Sequence, residues 1–168
     1  MSLENNIVTP HEIIDSSSLF GLWYFGMLDQ EDDLFKRTQA EVAKRLQNTT
    51  AVGGYIRYEA DEYFKSTDRS NPWIITTLWE AMRLLHKSTV TLEDLDVVKK
   101  TLGWVTEHMY PSGVLAEQLD PHTGQSLSAT PLVWSHAVYV ETVLEYLDAA
   151  HKLGTCEKCG PPVVPHEL

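Results

Sequence analysis

The chain has 168 residues, a length that suits one compact domain or one piece of a larger one. Apolar residues make up 43% and aromatic residues 10%, which supplies a core and excludes a wholly disordered segment. With 13 basic residues against 24 acidic ones the net charge is −11, so no basic patch exists for nucleic acid or an anionic membrane surface.

Five helices are predicted in chain order. The first runs from about Asp15 to Met27, with Ser16 to Ser18 as cap candidates and Leu19, Phe20, Leu22, Trp23, Tyr24 and Phe25 apolar nearly all round. The second, about Asp32 to Gln47, places Leu34, Thr38, Val42 and Leu46 inward at four-residue intervals, with Glu31, Asp32 and Asp33 at its dipole-favoured start. A loop from about Asn48 to Ser70 follows, containing the Gly53-Gly54 pair. Asn71-Pro72 then reads as a cap and first residue of the third helix, which is mostly buried through Trp73, Ile74, Ile75, Leu78, Trp79, Met82 and Leu85. Thr91-Leu-Glu-Asp94 opens the fourth as a capping box, with Leu92, Leu95, Val98, Leu102, Val105 and Met109 on its apolar side. After a second loop, about Tyr110 to Ala129, Thr130 caps and Pro131 starts a fifth helix. It is apolar through Leu132, Val133, Trp134, Ala137, Val140, Leu144 and Leu147.

The order is buried, amphipathic, buried, amphipathic, buried. A simple bundle would give every helix one wet face. Strict alternation instead predicts two layers, with covered inner helices and half-exposed outer ones. Both long loops precede inner helices and therefore open at the same end. Loops longer than ~12–15 residues tend to be functional.

The first of these loops holds Arg57, Tyr58, Asp61 and Tyr63 and leads into Trp73. Guanidinium and carboxylate groups hydrogen-bond sugar hydroxyls, and flat rings cover the apolar faces of pyranoses; a loop pinned by its own Arg–Asp pair reads the same way. The second loop holds Glu117 between the apolar residues Leu115, Ala116 and Leu119, and with Gln118 and Asp120 it predicts a polar cluster in buried surroundings.

The runs RYEADEY, NPWIITTLWEA, GVLAEQLDPHTG and PLVWSHAVYV resemble the C-terminal part of the glucoamylase family of glycoside hydrolases, family 15, over about Asp15 to Leu147. The resemblance implies an all-α fold, a partial (α/α)6 barrel of about five helices in alternating inner and outer layers. Residues 1–150 would be the C-terminal portion of the catalytic barrel and residues 151–168 a Gly/Pro-rich tail. It also implies inverting, exo-acting hydrolysis of a terminal α-glucosidic bond, in which an acid protonates the leaving oxygen and a carboxylate ~6.5–9.5 Å away activates water. Glu117 falls at the position of the base and Arg57 at that of the sugar-binding arginine. Tyr58, Asp61 and Trp73 fall in matching segments and would line or brace the pocket; Trp134 and His136 match the start of the last inner helix, where packing explains them at least as well. The family's general acid belongs to an upstream Trp-Glu-Glu segment that this chain lacks; Trp79-Glu80 matches a different helix. The fragment alone is therefore expected to be inactive, and its expected partners are an α-linked glucosaccharide (starch, dextran or trehalose class) and the remainder of the barrel or a second copy. The alternative is a non-catalytic regulatory or carbohydrate-sensing barrel. No cofactor is expected.

No stretch approaches the ~18 apolar residues of a membrane span and no basic-then-apolar leader is visible, while Met1-Ser2-Leu3 reads as an appended start. The only two cysteines, Cys156 and Cys159, sit close together without a disulfide framework, which predicts a cytoplasmic protein. His151, Cys156, Cys159 and His166 have the spacing of four zinc ligands, a weak pattern in a Pro-rich tail, so no metal is assigned.

Overall fold

The computed structural model describes residues 2–4, 7–9 and 12–156, the first two stretches by backbone alone. They pair as a short antiparallel hairpin, β1 (Ser2–Glu4) and β2 (Ile7–Thr9). Five α-helices follow: α1 (Ser16–Tyr24), α2 (Asp33–Leu46), α3 (Ile74–Leu85), α4 (Leu92–His108) and α5 (Val133–Lys152). The helix α3 packs between α1 and α5, while α2 lies against α1 and α4 against both α3 and α5. This is the expected alternation: an inner row of α1, α3 and α5 with α2 and α4 outside it, a section of an (α/α)6 barrel.

The core is built where the two layers meet. Ile74, Ile75, Leu78 and Met82 of α3 are buried against Leu19 and Trp23, Phe35, Val42 and Leu46, and Val98 and Val105. The inward stripe of α2 differs from its four-residue expectation: Phe35 is buried and Leu34 is 53% exposed. At about 100° per residue, a strict four-residue repeat drifts by roughly 40° a step, so it cannot hold one face for three turns. The 3.6-residue stripe Phe35, Val42, Leu46 can. For the same reason Leu92 faces solvent while Leu95, Val98, Leu102 and Val105 are buried.

Three helix starts also differ from expectation. Asp15, not one of the serines, caps α1 by accepting from Ser17 N. Ser16 instead donates through both its N–H and its hydroxyl to the carbonyl of Arg57. Asn71 and Pro72 do not open α3, whose N-cap is Trp73; Pro72–Trp73 forms a strand. Thr130 and Pro131 do not cap α5, which begins at Val133 after Leu132, without a side-chain cap. The predicted capping box at Thr91 and Asp94 is present in full.

The two long loops meet in a four-stranded antiparallel sheet of very short strands, β3 (Tyr55–Ile56), β4 (Pro72–Trp73), β5 (Gln118–Leu119) and β6 (Ser126–Leu127). Its register sets Tyr55 opposite Trp73, Trp73 opposite Gln118, and Gln118 opposite Leu127. Gly54 makes the approach of β3 possible: it has φ +80°, and a Cβ there would lie 2.8 Å from the Trp104 ring. Among the described residues, no helix is long and apolar enough to cross a membrane.

Candidate active site

The sheet places the chemistry-bearing residues at the N-terminal end of the inner helices. Arg57 follows β3, Trp73 closes β4, and Glu117 precedes β5 with its carbonyl accepting from Ile74 N at 3.2 Å. Sequence-distant segments are thereby held side by side by backbone pairing, which leaves their side chains free for other work.

Arg57 is held from several sides. Its Nε and Nη2 donate to the two oxygens of Asp61 at 3.0 and 2.9 Å, and Nη2 also reaches the Tyr58 hydroxyl at 3.3 Å. The guanidinium carbon lies 4.3 Å from the Trp73 ring centre, 4.7 Å from Tyr58 and 5.3 Å from Tyr63. Burial works against its charge, but the Asp61 hydrogen bonds and charge prevail and raise its pKa above the ordinary arginine value. Nη1 makes no hydrogen bond among the described residues, so a planar donor with one unused nitrogen sits in an aromatic frame. Asp61 is buried and braces the Arg57 guanidinium with both oxygens.

Glu117 is half-buried. Its Oε2 accepts from the Ser128 hydroxyl and, at 3.3 Å, from Gln118 Nε2, which leaves Oε1 unengaged among the described residues. Gln118 itself is completely buried and accepts from Asn71 Nδ2 at 2.8 Å; the same Asn71 nitrogen donates to the Phe64 carbonyl at 2.8 Å. One amide thus couples the segment that carries Glu117 to the loop that carries Arg57.

Asp120 does not join Glu117, contrary to expectation. Burial pushes its pKa up, but the Ser66 hydroxyl and the N–H groups of Thr123 and His122 prevail and hold it at about 2. It staples the two loops together, as does the His122–Asp68 pair at 2.9 Å. Burial drives the pKa of the Glu80 carboxyl upward; it faces Arg83 and Gln39 on α3 and α2, and its charge reaches the Tyr55 hydroxyl. Trp134 sits in the first turn of α5 with its ring edge-on to Trp79 at 5.8 Å, and Trp79 stacks on Phe20 at 4.3 Å. It belongs to an aromatic column across the inner helices rather than to the Arg57 frame.

Two of the four buried polar atoms that lack a partner among the described residues lie at β4, Asn71 Oδ1 just before it and Trp73 Nε1 within it. Folded proteins hold few such atoms. Sequence reading missed Ser128 and the bridging role of Asn71. The signal for Ser128 was the turn from Asp120 to Gly124 between Gln118-Leu119 and Ser126-Leu127, which makes a hairpin and sets Ser128 across from Glu117. Ser128 has φ +65°, a backbone state that a non-glycine residue adopts at a cost and that clusters at functional sites.

The sequence profile of glycosyl hydrolases family 15 matches residues 26–144, more than half of the chain. The chain belongs to glycosyl hydrolase family 15. An uncharacterized glycosyl hydrolase of Methanocaldococcus jannaschii is 33% identical over 147 residues, 82% of this chain and 23% of that protein. The isomaltose glucohydrolase of Kribbella flavida is 28% identical over 127 residues, 69% of this chain and 30% of its own. The crystal structure of a bacterial glucoamylase complexed with acarbose superposes with a TM-score of 0.66 at 24% identity, covering 83% of this chain and 21% of that one. This likeness shows the fold. The family 15 chain described here therefore spans about a quarter of the length of the curated relatives it matches.

Of the weak zinc pattern, His151 and Cys156 fall at the end of the described residues. Cys159 and His166 lie outside the described residues.

Proposed function

We propose that this chain forms part of the catalytic barrel of an inverting exo-α-glucosidase, with Glu117 as the water-activating base and Arg57 as the residue that binds the terminal glucose. The observation that carries this reading is the asymmetry at Glu117. Oε2 is occupied by Ser128 and Gln118, while Oε1 has no partner among the described residues, and the same small sheet carries at its flank a charged, aromatic-framed Arg57. A base needs one fixed oxygen and one open to the proton it takes. The second carboxyl group of such a reaction stands ~6.5–9.5 Å away with water between. The Trp-Glu-Glu segment that carries the acid in this family does not occur in the sequence, so on this reading the acid comes from the remainder of the barrel and these residues alone do not turn over substrate.

The exposed apolar residues Val133, Trp134, Val140 and Leu144 on α5, with Phe25 and Met27 beyond α1, form the flanks that the remaining inner helices would cover. The relatives' activities on isomaltose and the binding of acarbose by the glucoamylase support a glucosaccharide as substrate. The test is hydrolysis of maltose, isomaltose and trehalose by the complete barrel and by this chain alone, with the product anomer followed by proton NMR. The expected result is that the complete protein frees the glucose whose bond to C1 is cleaved as the β anomer, the leaving glucose keeping its own configuration (α in trehalose), and that the chain alone does not turn over. Turnover by the chain, or release of that first glucose as the α anomer, contradicts the proposal.

A further inference from the structure

The segment that carries Glu117 is gripped by side chains from the first turn of α5. Leu115 N donates to His136 Nε2 at 3.0 Å, and the Ser135 hydroxyl donates to the Ala116 carbonyl at 2.8 Å. Backbone bonds complete the hold: Leu132 N to the Leu115 carbonyl at 3.0 Å, and Glu117 N to the Ala129 carbonyl at 3.0 Å. Leu115, Ala116 and Ser135 are each no more than 1% exposed. Residues 115 to 117 thus have nearly all their backbone groups assigned, and two of those bonds depend on side-chain chemistry rather than on backbone geometry.

The His136 bond fixes a chemical state. An N–H can be accepted only by a ring nitrogen with a free lone pair, so the ring is neutral with its proton on Nδ1. The usual use of polar side chains in a first turn is to cap the helix, and α5 has no side-chain cap. Ser135 and His136 are spent on the preceding loop instead, which locks that loop to the helix axis.

We propose that His136 and Ser135 are positioning residues for the Glu117 carboxylate, holding its backbone at a fixed height on α5 through Leu115 and Ala116. This rests on the reading of Glu117 as the base, since a grip of this kind affects turnover only if the gripped residue reacts. Its effect is geometric: displacement of a reacting group by about 1 Å can cost on the order of a hundredfold in rate.

Two measurements test it. In this chain, nitrogen NMR should show a pyridine-type Nε2 for His136, and the Leu115 amide should be protected from hydrogen exchange. His136→Leu should abolish that protection and His136→Gln, which keeps an acceptor of similar reach, should retain it. In the complete barrel, His136→Leu should lower kcat by roughly thirtyfold or more with KM within about threefold, and His136→Gln should recover most of the loss. A protonated or Nε2–H ring in the folded chain overturns the proposal. So does a His136→Leu variant with protected Leu115 or near-normal kcat, and so does a His136→Gln variant as slow as His136→Leu. Glu117→Gln, run in parallel, separates the two readings. If it stays active, the base assignment and the positioning role fall together, while the NMR readouts still report whether the grip exists.

Discussion

Asp61 gives both oxygens to Arg57, and its Oδ1 also accepts from Tyr63 N at 3.0 Å. It is 1% exposed, whereas the Arg57 side chain keeps 30% of its surface. Removing the carboxylate would strand a half-buried guanidinium against three rings and leave a backbone N–H without its acceptor. Asp61→Ala is therefore expected to destabilise the fold by about 3 kcal/mol, the order typical of breaking a buried pair from one side. Denaturant unfolding measures it, and a loss below about 0.5 kcal/mol would show that the pair is a solvated surface contact. The sequence made this pairing legible because the two residues lie four apart in one loop. It did not show Ser128 on Glu117, because that contact depends on a hairpin register between two-residue strands, too short to leave an alternation in the sequence.

His86 follows α3 and ties together the three inner helices. Its Nε2 lies 2.9 Å from Glu145 Oε1 on α5, and its ring packs 5.0 Å from Trp23 and 6.1 Å from Tyr24 on α1. The hydrogen bond to Glu145 raises its pKa above 6.5; burial opposes this, and the charges of Glu145 and Glu141 add to it. A raised folded pKa means that the stabilisation is fully present below the unfolded value and is lost as pH rises through the folded one. Thermal unfolding should therefore show the melting temperature falling as pH climbs above 6.5, and Glu145→Gln should flatten that dependence. An unchanged slope in the Glu145→Gln variant would assign it to other groups. Helix existence and the capping box of α4 were legible from periodicity and cap chemistry. The starts of α3 and α5 were not, because Asn71 is spent on bridging two loops, a tertiary use that no local pattern encodes.

Across the whole molecule, the alternation of covered and half-wet helices carried the two-layer architecture into view before any contact was known. What it hid was the state of α5. Val133, Trp134, Val140 and Leu144 face outward while its buried stripe is Ser135, Val138, Thr142, Ala149 and Ala150, flanked by Tyr139, Val143 and Tyr146. Small residues there let α5 lie close to α3 and α4, and the outward face is the side that other inner helices of a full barrel would meet. Within that barrel the sheet sits at the end where the inner helices begin, and Glu117, just before β5, keeps Oε1 unengaged among the described residues. The most direct measurement is steady-state hydrolysis of an α-linked disaccharide by the complete barrel carrying Glu117→Gln. This substitution removes the proton acceptor while preserving size and the Ser128 contact. The predicted result is a fall in kcat of at least about a hundredfold with KM little changed. A variant that keeps near-normal kcat would show that Glu117 is not the base.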